Sequence, residues 1–540
     1  MPTPPPGASD AAAARPGQSD PAADVTTDAS PGADPGAAGP ATAAADGAAN
    51  AARLKTSAIS GVKWNFLSTL ASLVGRLVFT FALARLIGPE NFGIVSLATL
   101  YTTFAVVVLD QGFGLALVQR KELGPKDIGS VAWLNLAMGA LLCVATILLA
   151  PAMADFFSTP ELEGVLQVLS ITLLIRGLTL VRENLVRRYL RFRQFALIQT
   201  GAVIGGGVAG IVAALLGAEY WALVVQTLVN DLVILVSLLV MFRSVSWAAS
   251  WASLRSMAGF SSKMLASNLL LYVGGNADNI LIGRFLNPTQ LAFYALSYRL
   301  LRMPLQMIGS VVNGVALPIF SRLQDDDERT ASWLLVATQA VAVVAFPLFG
   351  LMVIAAEAGV EVGFGTEWDG AVVPLQLLAL AGAPMIVRML LPALATARGH
   401  AGLVLRWTLI NVTLGIAGMV VGLQVAGIVG VAASVAIVTY LTWLPNVAQV
   451  LRRSTGLGLG PYVTKLVPPV VCTLLAVGLW WLAYLPFRPS GDEAHGLLPV
   501  LGVTLAALAF YAALVRFLFP RTFRAVTSIG TQMVRKQTDV

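Results

Sequence analysis

Four arginines lie toward the middle of long apolar segments, where charged side chains are rare. They are Arg76, Arg176, Arg299 and Arg302. A charge near the centre of a bilayer costs at least about 2.5 kcal/mol on insertion scales, so each one indicates a cavity, a partner or a function. The planar guanidinium suits phosphate oxygens, and these arginines together predict an anionic substrate, such as one that carries a pyrophosphate. The alternative is that each pairs with a buried carboxylate, for which Asp110, Asp231 and Asp278 are available.

A polar run centred on Asp278 interrupts another apolar segment, with Asn276 two residues before it. A carboxylate in such a segment can bind a cation or carry a proton that drives transport. The sequence therefore predicts a coupling site for Na+ or H+ formed by Asp278, Asn276 and Asp110. The alternative is a structural ion pair of Asp278 with Arg284 or Arg76.

Two further asparagines, Asn268 and Asn313, are predicted to hydrogen-bond the hydroxyl groups of a sugar substrate. Hydrogen bonding between helices explains them equally well. The two cysteines, Cys143 and Cys472, lie far apart inside apolar runs. That placement predicts neither a disulfide nor a metal site, and no resident cofactor is expected.

The elements that position these side chains must be membrane helices. Hydrophobic residues make up 57% of the 540 residues and charged residues only 12%, which excludes a soluble globular protein. The net charge of +7 is spread over short connections, which argues against nucleic acid as a partner. The expected surroundings are the lipid bilayer.

Apolar segments long enough to span a bilayer predict fourteen transmembrane helices. They are residues 60–86, 92–118, 128–153, 161–182, 194–217, 220–242, 258–284, 289–319, 331–356, 371–395, 403–424, 427–450, 463–485 and 497–519. Basic residues fill alternate connections, whereas the opposite connections are short or acidic. Because Lys and Arg stay on the cytoplasmic side, both termini are predicted to be cytoplasmic. Aromatic residues near segment ends, including Trp368, are expected to anchor the helices at the interface.

An internal repeat divides the chain. Arg85-Leu-Ile-Gly-Pro89 returns as Arg284-Phe-Leu-Asn-Pro288, and in that alignment Arg76 faces Gly275. Such repeats are typical of secondary transporters. The predicted domains are a disordered acidic tail rich in Ala, Pro and Gly (1–52), two pseudo-symmetric lobes of six helices (57–245 and 255–455), a terminal helix pair (460–520) and a basic tail (521–540).

Three stretches carry a family resemblance. They are Phe81-Ala-Leu-Ala-Arg-Leu-Ile-Gly-Pro-Glu-Asn-Phe-Gly93, Asp110-Gln-Gly-Phe-Gly-Leu-Ala-Leu-Val-Gln-Arg-Lys121 with Trp133-Leu-Asn135, and Asp278-Asn-Ile-Leu-Ile-Gly-Arg-Phe-Leu286. They resemble the polysaccharide and oligosaccharide flippases of the multidrug/oligosaccharidyl-lipid/polysaccharide exporter superfamily, in the branch that serves lipopolysaccharide, exopolysaccharide or teichuronic acid synthesis.

The resemblance implies two lobes in a V around a central cavity, walled chiefly by the first, second, seventh and eighth predicted helices. It implies an undecaprenyl-type diphosphate carrying a sugar repeat unit as the substrate, moved from the inner to the outer leaflet. Many members have twelve helices. The last two predicted helices resemble the pair that forms a lipid-tail groove in peptidoglycan-precursor flippases.

We therefore expect a flippase in the plasma (inner) membrane of a bacterium that acts on polyprenyl-diphosphate-linked oligosaccharide. The alternatives are a cation-coupled multidrug exporter and a peptidoglycan-precursor flippase. An enzyme is not expected, because the connections are too short to carry a catalytic domain. A polysaccharide polymerase or glycosyltransferase complex is a further candidate partner.

Overall fold

The computed structural model describes residues 40–110, 113, 114, 117, 124–243, 248–488 and 495–520, except for the side chains of 40–74, 258–260, 263 and 313. Within these ranges the chain is helical and contains no strand. Most of the predicted acidic tail and all of the predicted basic tail lie outside the described residues. The first helix begins at Pro40, so residues 40–52 are helical where the sequence predicts disorder. Alanine dominates that stretch and has the highest helix propensity.

Fourteen α-helices are present in the described ranges. They are α1 (Pro40–Asp110), α2 (Pro125–Phe157), α3 (Glu161–Arg188), α4 (Phe192–Leu215), α5 (Trp221–Met241), α6 (Trp251–Phe285), α7 (Pro288–Arg322), α8 (Asp327–Ile354), α9 (Ala356–Phe364), α10 (Val372–Arg388), α11 (Leu390–Ala397), α12 (Ala401–Ser454), α13 (Leu459–Tyr484) and α14 (Leu497–Leu518). Two 3-10 helices, Thr366–Ala371 and Leu485–Phe487, connect α9 to α10 and follow α13.

Eleven segments of the described chain are long and apolar enough to cross a membrane. Two of them each cover two of the predicted segments, because α1 is broken at Gly88 and α12 at Ala426 and Gly427. The helix α6 is not among the eleven, yet its 35 residues match the length of α7. With α6 included, all fourteen predicted segments have a helical counterpart. The predicted all-α, multi-pass membrane fold is thereby confirmed.

The two copies of the repeat end one helix and begin the next by different means. In the first copy Gly88 has φ 75°, a left-handed conformation that a residue without a Cβ adopts easily, and Pro89 begins the second half of α1. In the second copy the Asn287 side chain accepts a hydrogen bond from the Gln290 backbone N–H at 2.8 Å, and Pro288 begins α7. Both breaks place a short connection where two spans meet.

Close helix packing holds each half of the chain together. In the first half α2 packs along α3, and α4 along α5. A Cβ on Gly177 would lie 2.6 Å from the backbone oxygen of Asn135, so α2 and α3 approach closely only because glycine occupies that position. In the second half α10 packs against α7, α8 and α12. The terminal helices follow, with α13 on α8 and α14 on α13.

Candidate functional site

A cavity of about 310 Å³ brings together three of the arginines that the sequence singles out. Arg76 comes from the first half of α1, and Arg299 and Arg302 come from α7. The other lining residues are Leu77, Asn279, Ala295, Tyr298, Met303 and Gln306. The two repeat copies thus supply opposite walls of one cationic cavity.

The periodicity of α7 explains why its polar side chains face one space. Positions three or four residues apart lie on the same face of an α-helix. Ala295, Tyr298, Arg299, Arg302 and Gln306 follow that spacing and all line the cavity. Tyr298 and Gln306 are not among the residues predicted from the sequence, although their spacing from the two arginines was the signal that could have identified them.

Arg302 is held in place by two contacts. Its Nη2 donates to the backbone oxygen of Gly275 at 3.3 Å, and its guanidinium lies 4.7 Å from the centre of the Tyr298 ring. Gly275 is the position that aligns with Arg76 in the repeat. Each repeat copy therefore has a guanidinium at this aligned position. In the first copy it belongs to Arg76 of α1 itself, and in the second it comes from Arg302 of α7, which contacts Gly275. A contact with an aromatic face orients the guanidinium without neutralising it.

None of the three cavity arginines forms an ion pair within the described residues, although Arg302 is attracted electrostatically to Asp278 and Arg76 to Asp231 at longer range. Across the part of the chain that the structure describes, no carboxylate lies within ion-pair distance of Arg76, Arg299 or Arg302. Arg76 and Arg299 also repel each other electrostatically. Clustered cations of this kind are stabilised by an anion that enters the cavity. The pairing alternative does not hold for these three residues.

Arg176 departs from the other three. Its Nη2 lies 2.9 Å from Asp231 Oδ1 and its Nη1 lies 3.6 Å from Glu183 Oε1, with the two carboxylates largely buried. It does not line the cavity. The structure thus gives Arg176 the carboxylate pairing that the sequence left open, because a buried Asp231 requires a cationic partner. Glu183, seven residues after Arg176, was not identified from the sequence.

The three residues predicted to form a coupling site do not share a partner in the described structure. Asp278 is buried, and its carboxylate accepts hydrogen bonds from the Tyr294 hydroxyl at 2.9 Å and the Asn279 backbone N–H at 2.8 Å. Asn276 donates to the backbone oxygen of Tyr272. Asp110, at the end of α1, interacts electrostatically with residues of α3.

The alternative ion pair of Asp278 is not formed. Arg284 lies over the ring of Phe156 at 5.1 Å, and neither it nor Arg76 is within ion-pair distance of Asp278 in the described residues. Of the two asparagines predicted to contact sugar, Asn268 is half-buried in α6 and is not part of the cavity lining. The side chain of Asn313 lies outside the described residues.

The cavity walls are joined at the end of the bundle that carries Gly88. Trp368 is fully buried there, and its Nε1 donates to the backbone oxygen of Ala84 at 3.2 Å. Arg85 Nη1 donates to the backbone oxygen of Val362 at 3.0 Å. A Cβ on Gly93 would lie only 2.0 Å from the backbone oxygen of Pro288. Trp368 belongs to the α9–α10 connection, and its indole is buried against Phe92 of α1; its position at the membrane interface stays a prediction.

A model of the family described as "Polysaccharide biosynthesis protein" matches residues 82–373, which is more than half of the chain. The chain belongs to this family. Two relatives are "Lipopolysaccharide biosynthesis protein WzxC" of Escherichia coli (strain K12) and "Teichuronic acid biosynthesis protein TuaB" of Bacillus subtilis (strain 168). The first is 25% identical over 78% of this chain and 86% of its own length. The second is 28% identical over 77% and 86%.

Two solved structures share the fold of this polysaccharide biosynthesis protein. "Lipid II flippase MurJ, inward closed conformation" has a TM-score of 0.66 at 12% identity and covers 86% of this chain and 99% of its own. The inward-facing conformation of a multidrug resistance MATE family transporter of the MOP superfamily has a TM-score of 0.56 at 14% identity, with 70% and 96% covered. At such identities the likeness concerns the fold alone. The predicted family and its transporter fold are confirmed.

Proposed function

We propose that this polysaccharide biosynthesis protein flips polyprenyl-diphosphate-linked oligosaccharide repeat units from the inner to the outer leaflet for cell-surface polysaccharide synthesis. The observation that carries the proposal is the meeting of three unpaired arginines in one cavity between membrane helices. A diphosphate supplies the negative charge that this cavity lacks, and guanidinium groups bind its oxygens through charge-assisted hydrogen bonds.

The cavity separates the parts of such a substrate by their chemistry. Arg76, Arg299 and Arg302 bind the diphosphate, while Asn279 and Gln306 offer amide groups to the hydroxyls of the first sugar. A volume of about 310 Å³ is at the lower end for small-ligand sites, so it accommodates the charged group and its nearest sugar rather than a whole repeat unit. The walls must therefore separate during transport.

Alternating access supplies that movement. The contacts of Trp368, Arg85 and Gly93 join the walls at the Gly88 end, and by the charge distribution of the connections this end faces outward. Release to the outer leaflet requires these contacts to break while contacts form at the other end. The same charge distribution supports a cytoplasmic position for both termini, and the plasma membrane of a bacterium is the proposed location.

A proton is the better candidate for the coupling ion. Both described partners of Asp278, the Tyr294 hydroxyl and the Asn279 N–H, are hydrogen-bond donors. Hard cations require several oxygen ligands that accept, rather than donate, so this arrangement disfavours Na+. Asp278 then carries the coupling role without Asn276 and Asp110, whose described contacts lie elsewhere.

The competing transporters differ in the charge of their cargo. Organic cations, the cargo of a cation-coupled drug exporter, would be repelled by three unpaired arginines. A peptidoglycan precursor carries the same diphosphate, and the additional helices α13 and α14 are the feature that favours it as the second candidate. The protein acts by carrying its substrate rather than by catalysis, and a polysaccharide polymerase or glycosyltransferase complex is its proposed partner.

The decisive experiment locates the lipid-linked saccharide in cells depleted of this protein and complemented with wild type, Arg302→Gln or Arg329→Gln. Arg329 is an exposed arginine outside the cavity and serves as the control. We expect repeat units inaccessible to an externally added modifying enzyme in depleted cells and in Arg302→Gln, and accessible ones in the control. Mass spectrometry of the accumulated lipid distinguishes a polysaccharide repeat unit from a peptidoglycan precursor. An unchanged pool in depleted cells would exclude flipping.

A further inference from the structure

A second cavity, of about 400 Å³, lies in the second half of the chain between α7, α10, α11 and α12. It shares no lining residue with the arginine cavity. The two are neighbours on adjacent faces of α7, because Leu305 faces the second cavity while Arg302 and Gln306 face the first. The proposed flipping of a diphosphate does not require it.

Arg388, at the end of α10, is the charged group of this second cavity. Its Nη1 donates to Asn411 Oδ1 at 2.9 Å, and the same oxygen accepts from Thr442 Oγ1 at 2.8 Å. The Asn411 amide in turn donates to the backbone oxygen of Trp407 at 2.6 Å. These bonds fix the asparagine, which holds the guanidinium against the cavity wall.

No carboxylate in the described ranges lies within ion-pair distance of Arg388. A guanidinium has five N–H donors, and the bond to Asn411 uses one of them. A half-buried cation among membrane helices is costly without an anionic partner. The chemical complement of this position is therefore an anion that enters the cavity.

The rest of the lining is mostly apolar. Leu305, Met385, Met389, Val404 and Trp407 surround the space next to Arg388. Such a wall binds hydrocarbon, and Met and Trp side chains adapt to irregular apolar ligands. A single guanidinium balances one negative charge, in contrast to the three in the neighbouring cavity. The volume falls within the range of small-molecule sites.

We propose that this cavity is a second ligand site, which takes an amphiphile with one phosphate or carboxylate group. The acid group binds Arg388, and the apolar part lies against Leu305, Met389 and Trp407. A membrane phospholipid with an anionic headgroup and a free alkyl phosphate share this chemistry. The site is independent of the proposed flipping activity, since its residues belong to a separate cavity.

The test uses full-length protein in nanodiscs of zwitterionic phosphatidylcholine, with dodecyl phosphate bearing a terminal photoreactive diazirine as the probe. Mass spectrometry then locates the labelled peptides. We expect labelling within residues 385–412, and at least roughly tenfold weaker binding there in Arg388→Gln, because a charge-assisted hydrogen bond is lost. Arg302→Gln is the matched control and should leave labelling of 385–412 unchanged.

A second variant, Val404→Phe, keeps the charge and fills the space, so it should also reduce labelling. Thermal unfolding of both variants checks that they are folded.

Displacement of the probe by phosphatidylglycerol supports a lipid source for the ligand. Retained labelling without such displacement supports a free amphiphile. Equal labelling of wild type and Arg388→Gln overturns the proposal. So does competition by inorganic phosphate as strong as that by dodecyl phosphate, since the apolar wall would then be irrelevant. Export assays play no part, so failure of the flipping proposal would be visible separately.

Discussion

Two groups of arginines at similar predicted depth in the membrane have opposite surroundings. Arg176 lies 2.9 Å from Asp231, with Glu183 as a second carboxylate. Arg76 and Arg302 face a cavity whose described lining residues include no carboxylate, and neither forms an ion pair there. The same side chain is a member of an ion pair in one region and, under the proposed function, a binding group in the other. An intramembrane charge therefore indicates a function only once its partners are known.

The largest expected effect is the loss of export when a cavity arginine is neutralised. Arg76→Gln and Arg302→Gln should each lower polymer export at least roughly tenfold, because each removes charge-assisted hydrogen bonds to the diphosphate. The free energy of unfolding should fall by no more than about 1.5 kcal/mol, since neither side chain has an ion pair to lose and Arg302 loses its hydrogen bond to Gly275. Export is measured in complemented cells and stability by thermal unfolding in detergent. Normal export by both variants would remove the cavity from the mechanism.

A carboxylate introduced into the cavity should make its arginines resemble Arg176. A Cβ on Gly275 would have Arg302 Nη2 at 3.9 Å as its nearest neighbour, so the position has room for a side chain. Gly275→Asp should pair with Arg302 and reduce export severalfold by competing with the substrate. Gly275→Asn has nearly the same shape without the charge and should retain export. Equal export by the two variants would contradict an anionic substrate.

Substitutions in the ion pair of Arg176 with Asp231 should lower the stability of the protein rather than change which substrate it transports. Asp231→Asn leaves Arg176 with only the more distant Glu183, and we expect the free energy of unfolding to fall by about 1–3 kcal/mol. A double-mutant cycle with Arg176→Gln should give a coupling energy of about 0.5–3 kcal/mol. Additive effects would show that the pair in the structure contributes nothing.

The smallest expected effect concerns Asp278. Asp278→Asn keeps an acceptor for Tyr294 but cannot release a proton, so export should fall only a fewfold and lose its dependence on a transmembrane pH gradient. The measurement is export at matched protein levels with the gradient present and collapsed. Sensitivity to the gradient equal to that of wild type would exclude Asp278 as the coupling group.

Much of the cavity is predictable from the sequence, because Arg76, Arg299 and Arg302 were identified by their depth in apolar segments. The helical spacing along α7 adds Tyr298 and Gln306 without further information. Neither depth nor spacing gives the rotation of one helix relative to its neighbours. That rotation determines that Arg176 contacts Asp231, 55 residues away. It also determines that the three predicted coupling residues do not contact one another.

Arg388 is a residue whose contacts could not be predicted from the sequence. It lies within the predicted segment 371–395, so its depth was visible in the sequence. Its position depends on Asn411 in the first half of α12, which it contacts directly, and on Thr442 in the second half, which donates to that asparagine. Trp368 is a further case, since an aromatic residue near a segment end usually anchors a helix at the interface. Here tertiary contacts bury it completely.

The sequence by itself determined that the lipid bilayer surrounds most of the chain, that the chain forms fourteen spans, and to which family it belongs. These properties are local, because a span in lipid must satisfy its own backbone hydrogen bonds and cover itself with apolar side chains. Only the tertiary structure decided which arginines form ion pairs, that the other three share a cavity, and that a second cavity lies against an adjacent face of α7. Those outcomes depend on contacts between residues far apart in the chain, and the free energy of a buried charge depends on its neighbours rather than on its position in the sequence.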